Sequence, residues 1–459
     1  MPIVAVDDTD SRDRGMCTTY VGVRLGERLE AAGGRVSRRL LVRLNPAVKH
    51  KTRGNAAVAL HVEGVDVDES FRLAGETVRE FAAAEDPRTS PGVVVADAAV
   101  TAAADTGLVD GVDDLAERIP DDVGSFARRA LREHLELDEA VALADRHGFR
   151  HAGFGTGGAG GDETPGRGRI GALAAVGAPA SHDEWTFERI SYRDLDRCGT
   201  PRGVDAESVF AAADEEYPTV WDTVDRGTGE VVCVPNAPGP ILHGIRGDDP
   251  DACRRVADAI ASEPVERAAT FLTNQGTDAH LADGTLDDLR DAAGYRVTGV
   301  VADDPETKRG GRVHVAVAAA PDASPKLRAV AFAPTGRFRD RVRALRPGDR
   351  VTLCGEHEIR EGEPGPKGTL KLEKFAVRDL VRTERTTPTC PECGRRMSSA
   401  GRDQGYRCRD CDTAAPGTVE AAVDRDLEPG WYEVPPSARR HVAKPLVRGG
   451  FDAPVHPER

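Results

Sequence analysis

The chain has 459 residues, 77 of them acidic and 62 basic, for a net charge of −15. That is about three domains at ~150 residues each, enough for a hydrophobic core without disulfide staples. With 30% charged and 39% hydrophobic residues the composition is globular rather than disordered. No apolar run reaches the ~18 residues of a membrane span, and the start, MPIVAVDDTD, lacks a basic-then-apolar leader. A cytoplasmic protein with no membrane association is expected.

Charge is unevenly spread. The basic residues are 54 Arg and only 8 Lys, which suits an acidic surface in a salt-rich cytosol where screening removes self-repulsion. Residues 31–60 carry seven bases and no acid. Five cysteines are scattered (Cys17, Cys198, Cys233, Cys253, Cys354) and four are clustered (Cys390, Cys393, Cys408, Cys411), which fits a reducing compartment.

In chain order, Ile3–Val6 reads as a buried strand running into an acidic turn. A helix follows from Thr19, with Val21, Leu25 and Leu29 on one face and Arg24 and Arg28 opposite. Leu40–Leu44 and Gly92–Val95 read as strands, and Phe71–Ala84 and Ser125–Leu135 as helices. A glycine-rich stretch runs from Gly155 to Gly171. From Trp185, strand signals at Phe187–Tyr192 and Val231–Val234 with a helix over Asp251–Ala261 suggest a ferredoxin-like α/β sandwich. Strand signals at Arg296–Val301, Val313–Ala318, Leu327–Phe332, Arg350–Gly355 and Thr369–Val377, split by Gly/Pro turns, fit a small OB-fold barrel.

The cysteine cluster reads C-x2-C, fourteen residues, C-x2-C. Each doublet can place two thiolates on one Zn²⁺, and four give a closed, structural site. Arg395, Arg396, Arg402, Tyr406 and Arg407 lie within it, basic groups and a ring suited to a nucleic acid backbone and a base face. A solvated basic surface would look the same in so Arg-rich a chain. At the other end, Asp7, Asp8 and Asp10 crowd three carboxylates at a strand end. They repel one another unless a cation such as Mg²⁺ sits on them, with Asp7 and Asp8 as its expected ligands; a helix-capping aspartate in a polar turn is the alternative. Thr18, at a helix start, is either a cap or a hydroxyl facing a phosphate. Lys51, Arg53, Gly54 and Asn55 form a basic loop suited to a polyphosphate. The glycine stretch holds Gly157, Gly158, Gly160, Gly161, Asp162, Glu163, Arg167 and Arg169. It is neither a Walker A loop nor a dinucleotide fingerprint, yet its N–H groups can cradle phosphates.

The order of these pieces decides the reading. DDTDS…GMCTT, RLNP, KTRGNAA, GRGRIGALAAVG, TNQGTDAHL, AFAPTGRFR and CPECGRRM…QGYRCRDC follow one another from residue 7 to 411. Together they resemble the archaeal tRNA(Ile) 2-agmatinylcytidine synthetase family. The resemblance implies a multidomain α/β plus all-β chain: a kinase-like ATP-binding domain (1–182), a ferredoxin-like domain (183–291), an OB-fold (292–383) and a zinc ribbon with a C-terminal tail (384–459). It implies ATP, Mg²⁺ and structural Zn²⁺ as cofactors, agmatine and an isoleucine tRNA with a CAU anticodon as substrates, and no obligate protein partner. The implied reaction replaces the C2 oxygen of the wobble cytidine with agmatine, through phosphorylation of that oxygen and attack by the amine, as ATP becomes AMP. The modified tRNA then reads AUA. Thr18 falls on the family's autophosphorylated threonine. The barrel and ribbon would grip the tRNA body, with Arg439, Arg440 and Lys444 of the tail adding phosphate contacts. Agmatine is expected between the first two domains, near 235–238 and 244–247.

Overall fold

The computed structural model describes residues 1–13, 15–49, 54–97, 116–155, 166–320, 323–324, 326–359 and 368–459. Its N-terminal part is built on strands β1 (Pro2–Asp7), β2 (Arg35–Arg43), β3 (Ala56–Glu63), β4 (Gly92–Asp97) and β5 (Arg150–Gly153). The next part contributes β6 (Thr186–Tyr192), β7 (Val220–Trp221), a small hairpin of β8 (Val224–Asp225) and β9 (Glu230–Val231), then β10 (Ile241–Gly247) and β11 (Arg267–Thr273). The two parts share one nine-stranded sheet in the order β5-β4-β1-β3-β2-β11-β6-β10-β7. They join where β2 and β11 pair in parallel, Leu40 beside Leu272.

Helices α1 (Thr18–Ala31) and α2 (Val67–Phe81) cover one face of the N-terminal half. Val21, Leu25 and Leu29 of α1 are fully buried against Val58, Leu60 and Val62 of β3, the face the spacing predicts. Helices α3 (Asp121–Ala130), α4 (Leu137–Arg146), α5 (Arg169–Gly177), α6 (Ala206–Glu216) and α7 (Pro250–Ala259) line the other face with one continuous apolar core. The second half runs strand–helix–strand–strand–helix–strand, with spatial order β11-β6-β10-β7. Its strand beside β10 is β7, not the expected Val231–Val234, which contributes only the short hairpin strand β9. On the α1 side, Glu188 and Ile190 of β6 and Gly244 and Arg246 of β10 line a cavity beside the start of α1.

The C-terminal half starts with β12 (Leu281–Asp283), then β13 (Ala293–Val301), β14 (Glu306–Thr307), β15 (Val313–Ala318), β16 (Leu327–Ala331), β17 (Arg350–Glu358) and β18 (Thr369–Asp379). Pairings β13–β15, β15–β16, β16–β18, β18–β17 and β17–β13 close a five-stranded barrel. Alternate residues point inward, such as Val313, Val315 and Val317, and Phe338 of helix α8 (Arg337–Arg343) is buried among them. Beyond the barrel come the cysteine module and a strap, residues 434–459, that returns to the α/β part. No described helix is long and apolar enough to cross a membrane.

Candidate active site

β1 delivers Asp7 to its end, where the chain turns sharply. Asp8 adopts a left-handed φ of 56°, a conformation Asp tolerates better than most residues. Asp8 Oδ2 accepts from the Ser90 N–H at 3.2 Å and pairs with Arg167 Nη2 at 3.4 Å. The start of α5 lies directly against Asp7. A Cβ on Gly171 would fall 1.9 Å from Asp7 Oδ2, and one on Gly168 2.6 Å from Asp7 O, so only glycine permits this approach. Burial and the neighbouring Asp8 raise the Asp7 carboxyl well above its ordinary range. Burial, opposed by Arg167, raises Asp8 to about 7. Two carboxyls this reluctant to ionise mark a place that gains from added positive charge.

These groups line a first cavity with Asp10, Gly54, Asn55, Arg167 and Gly168. The sequence thus places Asp7, Asp8, Asp10, Gly54, Asn55 and Arg167 together. Arg169 departs from expectation. It is not in the cavity wall, and its guanidinium turns to the Gly166 carbonyl at 3.0 Å and the His151 ring. Lys51, Arg53, Gly157, Gly158, Gly160, Gly161, Asp162 and Glu163 lie outside the described residues. Among the described residues the three aspartates do not converge as a ready three-ligand cage. They still fit Mg²⁺, which keeps water and phosphate ligands and is bound through one or two carboxylates.

A second cavity, about 300 Å³, adjoins the first, and Asp10 and Gly54 line both. Its walls are the start of α1 (Cys17, Thr18, Thr19), the β6–β10 face (Glu188, Ile190, Gly244, Arg246), the 232–241 segment, Arg43, Arg202 and His441. The helix cap is Cys17, with no side-chain capping bond, and Thr18 is the first helical residue. Thr18 is therefore not the N-cap. Its buried Oγ1 accepts from Thr9 Oγ1 at 3.1 Å. Arg43 holds the two halves together. Its N–H donates to Asn274 Oδ1 at 2.7 Å, its Nε donates to Gln275 Oε1 at 2.6 Å, and its Nη2 pairs with Glu188 at 3.3 Å. Glu188 also meets Arg246 at 3.5 Å. Arg202 fixes the 232–241 segment by donating to the carbonyls of Ala237, Gly239 and Ile241.

In the C-terminal module the four cysteine sulfurs lie within 4.8 Å of one another, Cys393 and Cys408 at 3.6 Å. Zn–S bonds of about 2.3 Å place tetrahedral sulfurs about 3.8 Å apart, so the cluster fits a closed zinc site. Arg395, Arg396, Arg402 and Arg407 are exposed around it, while Tyr406 is half-buried against Cys390, Met397 and Cys408. The tail differs. Arg439 is 3% exposed, locked between Asp222 and Glu433, and so offers no charge to a phosphate. Arg440 pairs with Glu356 and Glu373, and Lys444 with Glu184. These tail cations bind the strap to the rest of the protein.

Sequence reasoning missed Arg43, Glu188, Arg202 and His441 as site residues. The RLNP and TNQG motifs were the available signal for Arg43 and its partners Asn274 and Gln275. Glu188 and His441 sit in segments with no local motif.

Family models match three stretches: the TiaS TCKD domain over residues 3–65 and 63–156, the TiaS FLD domain over 166–280, and the TiaS C-terminal zinc ribbon domain over 387–427. An isoleucine-tRNA 2-agmatinylcytidine synthetase, TiaS, from Haloquadratum walsbyi is 49% identical across the whole of both chains. The TiaS of Methanosarcina mazei is 42% identical over 97% of each. A crystal structure of TiaS in complex with isoleucine tRNA and ATP is similar with a TM-score of 0.83 and 38% identity, covering 100% of this chain and 99% of that one. A complex of TiaS with isoleucine tRNA, AMPCPP and agmatine is similar at 0.80 and 36%, with the same coverage.

Proposed function

The chain belongs to the isoleucine-tRNA 2-agmatinylcytidine synthetase family, and on that premise we propose that it uses ATP to join agmatine to the wobble cytidine of an isoleucine tRNA with a CAU anticodon. The observation that carries the assignment of roles is that Asp10 lines both cavities. One cavity is suited to phosphates and the other to an elongated amine, and they meet at a carboxylate.

A cytosine C2 oxygen is a poor leaving group, so it must be activated before an amine can displace it. Phosphoryl transfer needs little more than positioning and charge neutralisation. In the first cavity, Arg167 and Asn55 hold the triphosphate of ATP, and the sequence motifs add Lys51, Arg53 and the glycine loop to that role. Asp7 and Asp8 would hold Mg²⁺, which supplies positive charge to the phosphates when bound. The target base leaves the anticodon stack to reach this point. Phosphate then departs with the C2 oxygen as the agmatine nitrogen bonds to C2; ATP ends as AMP because its second phosphoanhydride bond also breaks, that phosphoryl passing to the Thr18 hydroxyl and then to water as a second phosphate.

Agmatine occupies the second cavity, its amine toward Asp10 and Thr18. An alkyl amine is protonated at neutral pH, and Asp10, placed between the two cavities, is the carboxylate in position to take the proton. Thr18, at the uncapped start of α1, is the hydroxyl that can accept phosphate beside it.

The barrel, with its closed β13-β15-β16-β18-β17 order and a helix before the fourth strand, is an OB-fold, and the β6–β11 unit is ferredoxin-like. With the zinc ribbon they hold the tRNA body, through Arg395, Arg396, Arg402 and Arg407 and the ring of Tyr406, while the N-terminal unit acts on the anticodon. Incubation with labelled ATP, agmatine and unmodified tRNA tests this. AMP release, dependent on tRNA and matched by a mass increase at the wobble cytidine, is expected. ADP formation without tRNA would instead mark a kinase of another substrate.

A further inference from the structure

His441 reaches the second cavity from the far end of the chain, and its placement is over-determined. Its carbonyl accepts from the Gly276 N–H, and the next carbonyl, of Val442, accepts from the Asp278 N–H, both at 3.0 Å. The Lys444 N–H donates to Asp278 Oδ1 at 2.7 Å. On one side Arg439 is locked to Asp222 and Glu433, and Arg440 to Glu356 and Glu373. The strap is thus fastened both to the barrel and to the sheet that carries the site, and the ring of His441 is set at the mouth of the cavity.

There Arg246 Nη2 donates to His441 Nδ1 at 3.2 Å. A guanidinium has no acceptor, so Nδ1 must offer its lone pair and the ring proton sits on Nε2. The other anchor of Arg246 is Glu188, 3.5 Å from its Nε, and Glu188 already serves Arg43. One carboxylate therefore stands between two guanidinium groups in the wall of a cavity that takes a dication. Arg246 is compatible with that cargo only while its charge is held back toward Glu188 and the strap.

We propose that His441 is a positioning residue for the amine substrate: it holds the Arg246 side chain back against the cavity wall and so sets the affinity for agmatine. The inference rests on the reading that agmatine occupies this cavity. His441→Ala releases one end of Arg246, and the KM for agmatine rises about tenfold, the lower end of what a hydrogen bond to a charged group contributes. The effect on kcat is smaller, and the KM for ATP and the tRNA affinity stay as they were. His441→Asn, whose amide oxygen can replace Nδ1 as acceptor, keeps a KM near that of the wild type. The double variant H441A/R246A has no cation to swing inward and recovers agmatine affinity relative to H441A. An unchanged agmatine KM in H441A overturns the proposal, as does a double variant no better than H441A. Ala237→Trp, which narrows the same cavity, tests the underlying reading separately. If A237W weakens agmatine use and H441A does not, only the role of His441 falls. If A237W leaves agmatine use unaffected, the cavity assignment falls instead.

Discussion

The zinc module and the acidic strand end both gather like charges, and they do so in opposite ways. The four sulfurs converge within 4.8 Å, close enough to saturate one ion with protein ligands alone. Asp7, Asp8 and Asp10 are near neighbours but leave their site open, and burial holds Asp8 up at about 7. The first arrangement is complete without substrate and stabilises a fold. The second is electrostatically unfinished by itself, and under the proposed function cations and phosphates would complete it.

The largest effect should come from Asp8→Asn. Turnover falls about a hundredfold or more, as for loss of a single charge-stabilising group in other active sites, while tRNA affinity is preserved because the ribbon is untouched. A variant with normal turnover would remove the carboxylate from the chemistry. Cys408→Ser reverses the pattern. Zinc content drops and tRNA binds about tenfold more weakly as the ribbon loses its basic surface, with kcat recovering at saturating tRNA. Unaltered affinity would take the ribbon out of recognition. Thr18→Ala should slow turnover several-fold without changing zinc content or tRNA affinity. A rate equal to wild type would leave Thr18 a structural residue at the helix start.

The smallest effect is on stability. The raised Asp8 pKa means the folded state binds this proton more tightly than the unfolded chain. The folded state is therefore penalised progressively as pH rises from ~4 to about 7, and fully above that. Metal-free Asp8→Asn should melt about a few degrees above metal-free wild type at pH 8, with the gap closing near pH 4. Added Mg²⁺ should narrow the gap at pH 8 by stabilising wild type alone. Equal melting of the two proteins at pH 8 would show that Asp8 carries no such strain.

Legibility followed the range of the interactions. The barrel strands were readable because each alternates over several residues. The expected Val313–Ala318 matches the observed strand, and the other four differ only at their ends. Helix α1 was readable from Val21, Leu25 and Leu29. Strand β3 was not anticipated, because it is buried on both faces and its run of small and apolar residues has no alternation to mark it. Helix α5 was missed because glycines in its sequence argue against a helix, although Gly168 and Gly171 are there so that it can touch Asp7.

The sequence by itself determined the parts: the metal ligands of the ribbon, the acidic trio, the barrel and the family, all of which rest on neighbours along the chain or on the order of motifs. Tertiary structure alone decided how those parts meet. It fused two units into one sheet through β2 and β11, set Glu188 between Arg43 and Arg246, turned Arg439 from a surface cation into a buried fastening, and brought His441 to Arg246, 195 positions away. Such contacts depend on ion pairs and packing between distant segments, whose geometry leaves no period and no spacing in the residues on either side.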